Sequence, residues 1–343
     1  MYMNTSLALR RERTVYSEVP EVSSAVRPTG GPRGSVRGKQ PVTRRHTTIN
    51  TTNNTIMSTR RETMGIVCAA SKSSDASTTP HAVTARMASC KESGRTAFIP
   101  FLVAGDPSLA ATATAIKALD RLGADVIELG VPYSDPLADG PTIQAAATRA
   151  LQQGVILDQV IDVVREVSPT ITAPIVMFTY FNPIMARGLD TFCAQISAAG
   201  ASGLLVPDIP LEETGEIRKV ATSYGLDLVL LATPTTPASR MRAIADATQG
   251  FVYLVSVTGV TGMRGTTETR VEGLIETLRE NTDKSIAVGF GVSGPEQAVQ
   301  IKEWGADGVI VGSALVKALG ESGDEAAGLA AMESLAKSIR DAI

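Results

Sequence analysis

A (β/α)8 barrel in a single domain is the fold class this sequence predicts, on three observations. Eight short β-rich runs alternate with helix-length segments between residues 97 and 314. Most of the runs are continuously apolar, as expected of parallel strands covered on both faces. The composition, 43% hydrophobic but only 4% aromatic, describes an aliphatic, Ala- and Gly-rich interior of the kind α/β folds use. The alternative is a doubly wound open sheet. It usually has fewer units, and its nucleotide fingerprint is missing, because "AGDPS" after the first run is not G-x-G-x-x-G.

The elements follow in order. The predicted strands are "AFIPFLVAGD" (97–106), "DVIELGV" (125–131), "PIVMFTYFN" (174–182), "GLLVPDIP" (203–210), "DLVLLAT" (227–233), "FVYLVSV" (251–257), "SIAVGFG" (285–291) and "GVIVGSA" (308–314). Between them, 108–122 places Leu109, Ile116 and Leu119 on one helical face and stops at Gly123. Segments 189–199, 212–223 and 295–304 stop at or just before Gly200, Gly225 and Gly305. Ser293 is the expected N-cap of the last of these, ahead of Pro295 and Glu296. Residues 81–93 are expected to form an extra helix closing the barrel floor.

Charge divides the chain. Residues 1–68 carry 11 Lys+Arg against 4 Asp+Glu, while the whole chain has a formal charge of −3, so a basic head precedes an acidic body. The acidic body disfavours nonspecific nucleic-acid binding. The head, residues 1–80, is rich in Ser, Thr and Arg, lacks periodicity, and cannot bury enough apolar surface to offset chain entropy. It reads as a disordered transit peptide and linker, with "GIVCAASK" resembling a chloroplast cleavage region near Cys68–Ala69. A disordered tail or an alternative start at Met57 are the competing readings. The barrel domain is then 81–343. Cys68, Cys90 and Cys193 have neither metal-ligand spacing nor a disulfide framework and read as small apolar fillers.

In such barrels chemistry sits at the carboxyl ends of the strands. The last three loops, "SVTGVTGMRG", "GFGVS" and "GSA", are Gly-rich and offer backbone N–H groups to an oxyanion. Gly262, Gly291, Gly312 and Ser313 are therefore candidate phosphate ligands, the alternative being glycines that serve turns alone. Glu128 lies inside the second run between Ile127 and Leu129. Alternation along a strand aims Glu128 into the barrel mouth if its neighbours pack on helices. Desolvation there would raise its pKa and suit a proton shuttle; a buried ion pair is the alternative. Asp139 follows in a loop stiffened by two prolines and a glycine, as a second acid or a loop cap. Asp135 reads as a turn or contact residue.

The motifs "FIPFLVAGDP", "ELGVPYSDPLADGPTIQ", "YLVSVTGVTG", "GFGVSGPEQA" and "GVIVGSALVK" resemble the α subunit of tryptophan synthase over about residues 82–343. The second motif is the specific one; the Gly-rich motifs are shared with other barrels. The resemblance implies retro-aldol cleavage of indole-3-glycerol phosphate to indole and glyceraldehyde 3-phosphate, with no metal or coenzyme in this chain. It makes Glu128 the acid/base and Asp139 the partner of the indole nitrogen. It places Tyr253 near Glu128, Thr261 on a loop that closes over Asp139, Phe290 against the indole, and Val176 and Leu205 along the indole pocket. It implies a β subunit carrying pyridoxal phosphate, an α2β2 assembly, and contact through Pro132 and Asp135.

Three rivals remain open. A free-standing lyase releasing indole would share every motif. Another phosphate-binding barrel would need different acids, often a Lys, and none of the strand ends above carries a Lys. A silent allosteric barrel need not keep both Glu128 and Asp139.

Overall fold

The computed structural model describes residues 81–255, 264–289 and 291–343, and for 264–270 the backbone alone. The basic head with its cleavage region, and Thr261, Gly262 and Phe290, lie outside the described residues. All eight predicted strands are present: β1 Ala97–Val103, β2 Ile127–Gly130, β3 Ile175–Phe178, β4 Gly203–Leu205, β5 Asp227–Ala232, β6 Val252–Val255, β7 Ile286–Gly289 and β8 Gly308–Val311. They pair in parallel in chain order and close where Ala97 of β1 meets Gly308 of β8. The strands are shorter than the apolar runs, and where the carboxyl-terminal residues of a run are described, as in 104–106, 179–180 and 206–210, they have left the ladder.

The helices among the described residues are α1 Ala82–Glu92, α2 Leu109–Arg121, α3 Pro141–Gln152, α4 Leu157–Val167, α5 Phe181–Arg187, α6 Leu189–Ala199, α7 Thr214–Ser223, α8 Ala238–Ala247, α9 Arg264–Arg279, α10 Pro295–Glu303, α11 Ser313–Gly320 and α12 Glu325–Ala342. Their boundaries follow local chemistry. The Ser108 hydroxyl accepts the Ala111 N–H at 3.0 Å and starts α2. Gly200, at φ 99°, ends α6 in the left-handed region that a side chain disfavours. One expected cap is corrected: Gly294, not Ser293, takes the N-cap position of α10. Ser293 Oγ instead bonds Gln297 Oε1 at 3.3 Å, spanning the first turn side chain to side chain.

Strand parity sorts the core into two layers. Ile127, Leu129, Ile175, Met177, Leu204 and Leu254 point outward and pack with the helices. Ile99, Phe101, Val176, Phe178, Leu205, Tyr253 and Ile310 fill the barrel. Burial of each large apolar side chain contributes about 1.5–3 kcal/mol.

The predicted floor helix is α1, and it plugs the amino end with Val83, Met87 and Cys90, all fully buried in the inner layer. Asp227, at the start of β5, accepts the Thr84 N–H and hydroxyl, each at 2.9 Å. A carboxylate thus satisfies the first turn of α1 from across the barrel. Burial pushes the thiols of Cys90 and Cys193 up to about 11, which fits packing rather than reactivity.

Candidate active site

Glu128 stands where parity puts it. Its neighbours Ile127 and Leu129 belong to the outer layer, and its cross-strand partners are Phe101 on β1 and Val176 on β3. The residue is 0% exposed, and neither carboxyl oxygen has a hydrogen-bond partner among the described residues. Among the described residues, then, Glu128 has no ion pair. Desolvation pushes the Glu128 carboxyl up to about 8, so that near neutral pH it holds its proton. The Tyr253 hydroxyl is also driven well above its ordinary range, first by burial and then by the charges of Glu128 and Asp139. Tyr253 thus lies within electrostatic reach of both acids.

Asp139 is placed by the loop 131–140 between β2 and α3. Its N–H donates to the Pro136 carbonyl at 3.1 Å, and its carbonyl accepts from Gln144 Nε2 at 2.8 Å. The Tyr180 hydroxyl donates to Asp139 Oδ2 at 2.9 Å while accepting the Ala138 N–H at 3.0 Å. Tyr180 in turn stacks on Tyr133, centroids 5.0 Å apart, and Asn182 Nδ2 donates to the Tyr133 hydroxyl at 2.8 Å. Burial pushes the Asp139 carboxyl up to about 6, and the Tyr180 hydrogen bond holds it from rising further. Tyr180 was not singled out from the sequence; its position just past β3, level with the loop 131–140, was the available signal.

A cavity of about 310 Å³ opens at the carboxyl ends of the strands. Phe101, Phe178 and Tyr253 form its aromatic wall, Thr142 and Ile143 of α3 one side, and Asp139 its acid. The opposite rim is Gly291 and Ser293 after β7 with Gly312 and Ser313 at the start of α11. Gly291 sits at φ 86°, a conformation that favours glycine. The Gly312 carbonyl takes the Leu315 and Val316 N–H groups at 2.9 and 3.0 Å, which leaves those of Ser313 and Ala314 at the positive dipole end of α11 without an acceptor inside their own helix. Lys317, one turn further along the same face, is the one cation on this wall among the described residues.

Three placements differ from expectation. Val176 and Leu205 are fully buried in the inner layer and do not reach the cavity wall. Phe178 lies two residues beyond Val176 on the same face and is the cross-strand partner of Leu205, and it is Phe178 that reaches the wall. Glu128 likewise is not on the cavity wall; it lies beside its cross-strand partner Phe101, whose ring meets that of Phe178 edge to face with centroids 5.3 Å apart at 77°. Of the loop residues, Pro132 is buried and Asp135 exposed, beside an 85% exposed Leu137. A larger cavity, about 510 Å³, lies at the opposite end of the barrel against Pro174, Ile175 and Ser202, and holds neither acid. Barrel chemistry belongs to the carboxyl end, so the smaller cavity is the candidate site.

Comparison with known proteins bears on the family and the fold. The family described as "Tryptophan synthase alpha chain" matches residues 87–343. The alpha chain of Picosynechococcus sp. is 60% identical over 261 residues, which cover 76% of this chain and 98% of that relative. The Arabidopsis thaliana alpha chain is 53% identical over 253 residues, 74% of this chain and 92% of that one. Among solved structures, the alpha subunit of Legionella pneumophila superposes with a TM-score of 0.71 at 34% identity, covering 77% and 99% of the two chains. The tryptophan synthase a2b2 complex of Pyrococcus furiosus gives 0.67 at 41% identity, covering 71% and 97%. With the family matched across the whole barrel and relatives this similar over nearly their full length, the chain belongs to the tryptophan synthase alpha chain family.

Proposed function

We propose that Glu128 is the proton shuttle, and Asp139 the indole-nitrogen partner, of the tryptophan synthase alpha reaction. That reaction, a step of tryptophan biosynthesis, cleaves indole-3-glycerol phosphate by a retro-aldol route. One observation carries the assignment: a fully buried carboxyl with no partner among the described residues, neutral near pH 7, beneath an aromatic-walled cavity whose rim offers helix-start N–H groups.

Neutral Glu128 gives its proton to carbon 3 of the indole ring. The ring then carries positive charge, and ionised Asp139 at the ring N–H stabilises it. The resulting Glu128 carboxylate accepts the side-chain hydroxyl proton as the carbon–carbon bond breaks. The carbonyl of glyceraldehyde 3-phosphate forms, indole leaves, and Glu128 is neutral again. Glu128 reaches the reacting carbon by a rotamer change that lifts it past Phe101 and Phe178, with Tyr253 alongside. Gly291, Gly312 and Ser313 hold the phosphate, with Lys317 adding charge. Thr261, Gly262 and Phe290 complete the site on the family resemblance, and closure of the loop bearing Thr261 excludes water.

The partner is a β subunit, which carries pyridoxal phosphate and consumes the indole, in an α2β2 assembly like that of the Pyrococcus furiosus relative. Pro132 and Asp135 lie on the contact, and the exposed Leu137 in the loop after β2 and Met185 in α5 offer the apolar surface such a contact buries. Residues 1–80 act as a plastid transit peptide ahead of the 81–343 barrel. Their Arg- and Ser-rich composition and the similarity of the remainder to an Arabidopsis thaliana chain support this. Sequencing the amino terminus of the protein recovered from plastids tests it, a start near Ala69 being expected.

The deciding assay is cleavage of indole-3-glycerol phosphate by the chain alone and with a β subunit. Weak activity alone, greatly raised by the partner, supports the α2β2 reading. Strong activity indifferent to the partner replaces it with a free-standing lyase. A finer test addresses Tyr180. Tyr180→Phe removes the bond that restrains the Asp139 pKa, so the acid limb of kcat/KM moves to higher pH. At pH 6.5 activity should fall roughly tenfold, by loss of ionised Asp139 and of the Ala138 anchor. An unmoved acid limb refutes the coupling.

A further inference from the structure

We infer that Arg149, acting through Asp106, is a positioning residue that sets where the phosphate-holding start of α11 stands against α3. The inference rests on the cavity being the indole-3-glycerol phosphate site. Arg149 makes a two-pronged pair with Asp106 just past β1: Nε donates to Oδ1 and Nη2 to Oδ2, each at 2.8 Å. Asp106 is 2% exposed, so the fork is anchored in the core rather than in solvent. The two planar groups meet edge on, which fixes orientation as well as distance.

Three elements that line the cavity meet at this joint. Asp106 follows β1, which contributes Phe101 to the wall. Arg149 lies in α3, whose first turn contributes Thr142 and Ile143. Gly320, the last residue of α11, closes over the pair. A Cβ on Gly320 would lie 2.7 Å from Arg149 Nη2 and nearer still to Asp106 Oδ2. Both atoms are held in the fork, so neither can swing away cheaply. The helix cannot retreat either. On its far side α12 approaches so closely that a Cβ on Gly328 would come within 3.1 Å of the Leu319 carbonyl carbon. α11 is therefore wedged between the Arg149–Asp106 pair and α12.

The opposite end of α11 is the phosphate rim. Its 8 residues span about 12 Å, and a helix that short moves as a rigid rod. A shift imposed at Gly320 is carried to Gly312, Ser313 and Ala314, where N–H groups must meet phosphate oxygens at hydrogen-bond distance. The fork is tied on its other side too, since Gln153 Nε2, one turn beyond Arg149, donates to the Pro107 carbonyl at 2.8 Å. The pair touches no cavity atom itself. Its effect should fall mainly on the phosphate half of the site, because the Asp139 carboxylate is held by the Tyr180 hydroxyl, outside α3, although the Asp139 carbonyl also accepts from Gln144 of α3.

The test compares Arg149→Met, Arg149→Lys and Gly320→Ala in the full chain, with calorimetric binding of glycerol 3-phosphate and of indole, and steady-state cleavage kinetics. Arg149→Met is expected to weaken glycerol 3-phosphate and raise KM roughly tenfold, with kcat changed less than about threefold and indole binding unmoved. Gly320→Ala, which keeps both charges, should act in the same direction, and it decides the matter if Arg149→Met fails to fold. Arg149→Lys should resemble Arg149→Met, because a point charge cannot reproduce the fork. Wild-type behaviour of Arg149→Lys would reduce the role to charge and overturn the inference. Equal losses for indole and glycerol 3-phosphate would make the joint a general structural prop, and overturn it as well. Wild-type protein binding neither glycerol 3-phosphate nor indole-3-glycerol phosphate would overturn the cavity reading itself, and the inference with it.

Discussion

Glu128→Gln is expected to abolish cleavage of indole-3-glycerol phosphate, by roughly 10³-fold or more, and to make the protein more stable above neutral pH. The amide matches the carboxyl in size and keeps the inner layer packed, but it cannot give and recover a proton. General acid–base catalysis of this kind contributes about 10²–10⁴-fold, and here one group serves both transfers. The stability effect follows from burial. The folded carboxyl titrates at about 8, against an ordinary 4.5, because the charged form would be fully desolvated. In the unfolded chain the same group ionises freely once the pH passes its ordinary value. Its contribution to stability is therefore complete below about pH 4.5 and is lost as pH rises towards 8. At pH 7 the loss is on the order of 3 kcal/mol. The variant's unpartnered amide would carry a constant cost, about 1–3 kcal/mol, at every pH. Denaturant melts at pH 5 and pH 8 check this. The stability difference should move by a few kcal/mol in favour of the variant between them. A difference that does not change with pH would refute the raised pKa, and turnover within tenfold of wild type would remove Glu128 from the mechanism.

Asp139→Asn should lower kcat by about 10²–10³-fold, the cost of losing one aligned charge against a charge that develops in the transition state. It should also change the shape of the pH profile. Asp139 must be ionised to face the ring N–H, and its carboxyl titrates at about 6. Glu128 must be protonated to begin the reaction, and it titrates at about 8. The wild-type profile of kcat/KM is then a bell with its maximum near pH 7. The asparagine variant keeps the alkaline limb and loses the acid one. A profile for Asp139→Asn that still falls on the acid side near pH 6 would assign that limb to another group.

Some of this site was legible without coordinates. The inward aim of Glu128 follows from the period of two in "VIELGV", because a strand cannot bury Ile127 and Leu129 on the helices without turning Glu128 the other way. Gly291 and Gly312 were legible as a rim because Gly-rich loops in neighbouring barrel units fall side by side. The cavity wall was not. Val176 and Leu205 have the right parity, but height along the barrel decides whether a side chain is floor or wall, and height depends on the stagger between strands. Phe178 sits two residues beyond Val176 and beside Leu205, and its larger ring takes the place on the wall. Tyr180 and Asp139 are 41 residues apart, and Arg149 and Asp106 are 43 apart. Nothing local brings such pairs together.

Local rules written along the chain account for the barrel, the count and order of its strands, the plugging helix α1, the inward carboxylate and the Gly-rich rim. Each of these follows from periodicity along one element or from the capping chemistry of one turn. The lack of a partner for Glu128 among the described residues, the packing of Phe101 and Phe178 beside it, the hold of Tyr180 on Asp139, and the wedging of α11 against the Arg149–Asp106 pair have a different origin. They depend on which side chains meet across elements, and that is set when eight staggered strands close and their helices settle into the remaining space.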